Sequence, residues 1–226
     1  MAGPKQWKAH MGDINFSSKG RQLIELYGQM ACEGYDRNDQ QHVEVAFSDF
    51  ELRPFRPQIR EIMQSHGIRT VLDYGCGGSD WCQAGFDENG QSAIEYFNLD
   101  AAYRYEPARG IDERQKVDCV VSFDVMEHIF IADIPNVLRD LYSCASKLVI
   151  LNVACYPAAA LLPNGENAHI TVRPPLWWKG MVDSITPEFP HVATCLICSS
   201  AWREATAFPQ WSGDLWQASD TFEIPN

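Results

Sequence analysis

Apolar and polar positions along the chain repeat at two periods, and the switches between them lay out the elements. Residues 20–31, GRQLIELYGQMA, set Leu23, Leu26, Tyr27 and Met30 at spacings of three and four, one stripe of a helix. PQIREIMQSHGI predicts a second helix over 57–66, because proline suits a first helical turn and Gly67 suits an end. Beyond Gly67, short apolar runs recur between helical stretches. IRTVLDY, AIEYFNLD, DCVVSF, KLVILNVA and HVATCLICS read as strands. Between the third and fourth, IADIPNVLRDLYSCAS carries Ile134, Val137, Leu138 and Leu141 on one stripe and predicts a crossover helix. PPLWWKGMVDSI opens another helix at its prolines, and a last strand is expected over 206–208 or 221–224. Residues 1–18 are polar without periodicity, an arm or a lid.

Strands alternating with helices predict an α/β fold of three layers, Rossmann-like, with helices on both faces of a mostly parallel central sheet and a helical N-terminal extension. A chain of 226 residues, 46% hydrophobic and without repeats or Pro/Gly/Ser-rich linkers, fits a single domain. Residues 1–66 would form the arm and helical cap and 67–226 the core, with a long loop at about 155–178. The nearly apolar run 148–162 is broken by Asn152 and Pro157, and the first ten residues lack a signal-peptide core, so a soluble cytoplasmic protein is expected, with no membrane partner. The eight cysteines are scattered, several in apolar segments, which suits reduced thiols. A net charge of −12 repels polyphosphate and makes nucleic acid an unlikely partner. Arg53, Arg56, Arg60 and Arg69 read as a solvated helix face. Nothing in the pattern sets the oligomeric state.

The chemistry concentrates first in VLDYGCGGSDW, 71–81, where a Gly-rich turn follows a strand. Open α/β folds bind nucleotide-like ligands at such a turn. Gly75 and Gly77 fit the dinucleotide fingerprint G-x-G-x-x-G, but Asp80 stands at its third glycine and would repel a pyrophosphate. Asp73 instead offers a carboxylate to a cation, and S-adenosylmethionine carries one in its ammonium. The D-x-G-x-G pattern resembles motif I of the class I S-adenosylmethionine-dependent methyltransferases, although Ser79 stands where that motif commonly has another glycine, here shifted to Gly78. DCVVSFDVMEHI, 118–129, is similar to the fourth-strand segment of that family, with its D-V-L-E-H-like turn. ILNVACYPAAALLPNGENAHITVRPPLWW, 150–178, resembles a group of uncharacterised methyltransferase-like proteins of phages and marine bacteria with an L-P-N-G-x-N-A-H-x-T segment before paired tryptophans. LDAA resembles their Y-D-P-A turn, and the match spans about 68–185. The resemblance implies a class I methyltransferase fold, with S-adenosyl-L-methionine as cofactor and S-adenosyl-L-homocysteine as product.

On this reading Asp73, Tyr74, Gly75, Gly77 and Trp81 line the methionine side of the cofactor. Asp100, at the tip of the strand AIEYFNLD, accepts the ribose hydroxyls beside Ala101, with Glu106 as the fallback and Asp112 a weaker candidate for adenine. Asp124 and Val125 flank the adenosyl group, with Glu127 and His128 as the alternative. A hydroxyl acceptor needs a general base, and histidine is the usual choice. His169 is favoured, His128 is second, and Asp124 orients substrate. The alternative is that His169 and Asn167 anchor their loop and His128 its turn. Asn164, Glu166, Asn167 and Trp177 would form the substrate surface, while one of the neighbours Trp177 and Trp178 belongs to the core. The D-P-P-Y tetrapeptide of many amino-methyltransferases is missing, which disfavours a nucleobase. Cys195 and Cys198 point to opposite faces of a strand, so no metal is expected.

The function expected is methyl transfer to a small-molecule or glycan-like acceptor, foremost at oxygen, with nitrogen or carboxylate as alternatives. A different class is a non-catalytic S-adenosylmethionine-binding partner subunit. Asp73 and Asp80 disfavour a nucleotide-dependent oxidoreductase.

Overall fold

Two-residue periodicity sends alternate side chains of each strand to opposite faces of one sheet, and both faces are apolar. A computed structural model describes residues 14–47, 50–201, 204–210 and 220–223. The sheet comprises β1 (Thr70–Tyr74), β2 (Ala101–Glu106), β3 (Ile111–Asp112), β4 (Val117–Phe123), β5 (Ala145–Ala154), β6 (Ala193–Ala201), β7 (Glu204–Gln210) and β8 (Asp220–Glu223). Their spatial order is β8-β7-β6-β5-β4-β1-β2-β3. The central strands β6, β5, β4, β1 and β2 are mutually parallel, and β3, β7 and β8 add antiparallel margins. Both stretches considered for a last strand, 206–208 and 221–224, fall on strands, save Ile224, which lies outside the described residues.

The helices are α1 (Ser18–Glu33), α2 (Arg56–Ser65), α3 (Ala93–Phe97), α4 (Ile134–Cys144) and α5 (Pro175–Asp183). One face of the sheet packs Leu72, Val120, Val149, Leu151 and Leu196 against Ile134, Val137, Leu138 and Leu141 of α4 and Trp178 and Val182 of α5. The other packs Val71, Cys119, Val121, Ile150 and Ile197 against Ile59 and Met63 of α2 and Tyr96 and Phe97 of α3. The result is the expected helix–sheet–helix sandwich. Cys195 and Cys198 do lie on opposite faces, each in a different core. A third, smaller core joins Leu23 and Met30 of α1 to Ala158, Leu162 and Ala168 of the loop after β5. The N-terminal extension thus serves as a buttress for that loop.

One predicted strand is wrong. AIEYFNLD supplies helix α3, and Ser92 caps it: Ser92 accepts from the Glu95 amide while the Glu95 carboxylate accepts from the Ser92 amide. Asn98 ends the helix in the left-handed conformation, and the strand begins after it, at Ala101. Asp100 therefore precedes its strand, at the amino edge of the sheet, opposite the glycine turn. Among the described residues no helix is long and apolar enough to cross a membrane.

Candidate functional site

From β1 the chain continues to one side of the sheet, through β2 and β3, and from β4 to the other, through β5 and β6, so β1 and β4 flank a topological switch point. Ligands of open α/β sheets bind in the crevice outside the carboxyl ends of such strands. The turn after β1 begins at Gly75, whose φ of +84° favours glycine; a Cβ there would meet Val125 Cγ2 at 2.4 Å. Val125 thus fits against the turn only because residue 75 lacks a side chain. The Gly75 and Cys76 amides donate to the Tyr105 carbonyl at 2.7 and 3.1 Å, and the Gly77 amide donates to Glu106 Oε2 at 3.1 Å. The Gly78 amide donates to the Phe47 carbonyl at 2.8 Å, and Phe47, itself at φ +56°, fills the space over Gly77.

The residues expected to line a cofactor divide by strand face. Asp73 points to the α3 side, where it is buried and accepts from Ser79 Oγ at 2.7 Å and Trp81 Nε1 at 2.9 Å. Burial pushes its carboxyl up to about 6 against the pull of those two donors. Trp81 is core, edge-on to Phe50 and tilted on Phe97, and it braces the turn. Tyr74 points to the opposite face and donates to Asp140 Oδ2 at 2.8 Å, buried beneath α4 and away from the turn. Asp100 is exposed and paired with Arg69, remote from Gly75 at the other end of the sheet, and Ala101 shares that displacement. The acidic residue at the carboxyl tip of β2 is Glu106, the fallback, held by the Gly77 and Ala108 amides. Burial raises its carboxyl above the ordinary value, opposed by those amides. Asp112 lies in β3, paired with Arg114.

At the end of β4 the structure brings together three residues that the sequence had separated. Asp124 takes a left-handed φ of +57° and turns the chain out of the strand. Its carboxylate, the His128 ring and the His169 ring present ligand atoms within 4.8 Å of one another, with His169 Nε2 3.9 Å from Asp124 Oδ1. The rings of His128 and His169 meet edge to face with centroids 4.9 Å apart. His128 Nδ1 lies 2.9 Å from the Ala168 carbonyl and His169 Nδ1 2.6 Å from the Tyr156 carbonyl. A carbonyl accepts only, so both rings carry a proton on Nδ1 and turn Nε2 toward the cluster. Tyr27 of α1 donates to the same Ala168 carbonyl at 2.6 Å, which connects the N-terminal buttress to the site.

Glu127 enters the sequence reading only as an alternative flank of the adenosyl group. It is fully buried; Oε1 accepts from the Ala154 amide at 2.5 Å, and Oε2 has no ordinary donor. Burial and the neighbouring Asp124 carboxylate push its carboxyl well up. For Asp124 burial works upward, but the hydrogen bond and charge of His128, aided by Glu127 and His169, hold the carboxyl below its usual range. Burial and the charge of His128 lower the His169 imidazole, against Asp124 and the Tyr156 carbonyl. An imidazole held toward its neutral form beside an anionic carboxylate can accept a proton at Nε2.

The residues expected to form a substrate surface are engaged in contacts within the protein. Asn167 is a loop brace: its Oδ1 accepts from the Ala158 and His169 amides, both at 3.0 Å, and its Nδ2 donates to the Ala158 carbonyl at 2.8 Å. Asn164 and Glu166 bond to each other at the exposed loop tip, and Glu166 pairs with Lys19 of α1. Trp178 is the core member of its pair, and Trp177 packs partly buried against it, 4.9 Å between centroids. Comparison of the chain with protein-family models, curated proteins and solved structures finds no match in any of them.

Proposed function

We propose that the protein transfers a methyl group from S-adenosylmethionine to the hydroxyl of a small polar acceptor. The observation that carries this reading is the convergence at the switch point of a Gly-rich turn, an acid at the tip of β2 and a carboxylate–imidazole cluster after β4. The donor set fits the cofactor. The Glu106 carboxylate is the acceptor for ribose hydroxyls, and Val125, seated over Gly75, supplies an apolar wall. Asp73 is too deeply placed to meet the ligand and acts by holding Ser79 and Trp81. Phe47 covers Gly77 and Gly78, so a ligand reaching those amides displaces it.

When bound, the cofactor supplies an already electrophilic methyl carbon, and the protein's task is to orient an acceptor, remove its proton and exclude water. His169 takes the proton at Nε2, its ring fixed by the Tyr156 carbonyl. Asp124 stabilises the imidazolium that forms, as a carboxylate beside a base does. Burial of Glu127 disfavours a second negative charge in the cluster.

Calorimetry with S-adenosylmethionine and with NAD tests the cofactor. Binding of the sulfonium compound and none of NAD is expected, and the reverse would defeat the proposal. Incubation with methyl-labelled cofactor and a metabolite extract tests transfer: labelled acceptor in wild type and none with His169→Ala is expected. Cofactor binding with no labelled product would leave a binding subunit in its place.

A further inference from the structure

We propose that Asp124, His128 and His169 form a site for a divalent first-row transition cation such as Zn²⁺, Mn²⁺ or Fe²⁺. This goes beyond the methyl-transfer reading and does not depend on it, and it departs from the metal-free expectation drawn from Cys195 and Cys198. Two neutral imidazoles and one carboxylate with positions left open are a set such ions favour, whereas Mg²⁺ and Ca²⁺ prefer oxygen alone.

The geometry is close to what an ion needs. With bonds of about 2.1 Å, two ligand atoms on one ion lie at most about 4.2 Å apart. The ligand atoms here lie within 4.8 Å of one another, with His169 Nε2 3.9 Å from Asp124 Oδ1, so a small side-chain adjustment brings them onto one ion. Both imidazoles already have the outer contact that metal-bound histidines use, an Nδ1–H donated to a backbone carbonyl, which fixes the tautomer and aims Nε2. Those carbonyls belong to Ala168 and Tyr156, and Tyr27 holds the first of them from α1. The Asp124 side chain is 35% exposed, which leaves an approach for ion and acceptor.

An independent observation is Glu127. Its Oε1 accepts from the Ala154 amide, while its Oε2 is buried with no hydrogen-bond partner. A cation at the cluster gives that second oxygen a purpose, as an outer partner of the ligating groups. A hydroxyl held by such an ion loses its proton more readily than a free one.

The test uses the full chain, stripped with chelator and titrated with Co²⁺ in the absence of any cofactor. One equivalent is expected to bind, with visible absorption from imidazole-ligated cobalt, and Zn²⁺ is expected to displace it while Mg²⁺ is not. His128→Gln and His169→Gln, each checked for fold by circular dichroism, should weaken binding by more than the roughly 10–100-fold that loss of an outer partner costs. His42→Ala, which removes the exposed His42–Asp36 pair, should leave binding unchanged. Absence of cobalt binding by folded wild type, or equal binding by both glutamine variants, would overturn the site. So would loss of binding in His42→Ala, which would identify a surface ion. S-Adenosylmethionine binding by the metal-free chain is measured separately, so this proposal can fail while methyl transfer stands, and the converse.

Discussion

Glu106 and Asp100 sit at opposite ends of one strand, and that separation decides which can meet a ligand at the glycine turn. Glu106→Gln is expected to weaken S-adenosylmethionine binding by about 1–3 kcal/mol, the usual consequence of removing a charged acceptor, while Asp100→Ala leaves it unchanged. Calorimetry on both variants checks the pair, and a loss confined to Asp100→Ala would reverse the assignment. Asp73 makes a second prediction at this scale. Its folded carboxyl titrates at about 6, above the unfolded value of about 3.9, so the stability it contributes is full below about pH 4 and lost as pH rises through 6. Glu106 and Glu127 act with the same sign, and His169, shifted downward, acts with the opposite one. Comparing wild type with Asp73→Asn isolates one group. Wild type should lose about 1 kcal/mol more than the variant between pH 5 and 7.5 in denaturant titrations. Equal pH dependence in the two would show that Asp73 is ionised throughout. The sequence made Asp73 and the glycines conspicuous, yet it could not show that strand alternation turns Asp73 inward to Trp81 and Tyr74 to the far face.

At the scale of elements, the loop from β5 to α5 is built rather than loose. Leu161 and Ala168 donate to the carbonyls of Asp36 and Ala160 at 2.8 and 3.1 Å, and Asn167 closes on Ala158. His169 owes its position to this framework. Asn167→Ala leaves the Ala158 amide and carbonyl and the His169 amide unpaired, at a cost of about 2–3 kcal/mol. Both a lower thermal midpoint and a turnover loss with cofactor affinity retained are expected; an unchanged midpoint would make the brace dispensable. The L-P-N-G-x-N-A-H pattern identified the loop but not the division of labour within it, because an amide that recognises a ligand and one that recognises a backbone look alike in sequence. The error over AIEYFNLD was avoidable. Ser92 followed by Glu95 is a capping box, written in SAIE, and it outweighs the apolar alternation over so short a helix. Most strands were legible because their apolar runs are buried on both faces; the members of the cluster, Asp124, His128 and His169, were each candidates, but their convergence was not legible, since Asp124 and His169 are brought together by parallel pairing of β4 with β5.

At the scale of the whole molecule, the charge of −12 bears on which nucleotide-like ligand enters the crevice. S-Adenosylmethionine carries a sulfonium, an ammonium and a carboxylate, hence one net positive charge, and its demethylated product carries none. NAD brings a pyrophosphate. A negative field concentrates the first, is indifferent to the second and repels the third. Acids near the turn, Asp73 and Glu106, act locally in the same sense, whereas the more distant charges are screened beyond about 8 Å at physiological salt. Raising salt is therefore expected to weaken binding of S-adenosylmethionine more than that of S-adenosylhomocysteine. A thermal-shift series over salt concentration reads this directly, because a ligand present at about 100 times its dissociation constant stabilises the fold by about 2.7 kcal/mol. Parallel salt curves for the two compounds would mean that the field does not reach the site, and stabilisation growing with salt for S-adenosylmethionine alone would place its sulfonium against a positive group. A steeper curve for the methyl donor also has a kinetic consequence: the acidic surface then favours exchange of neutral product for cationic substrate after each transfer.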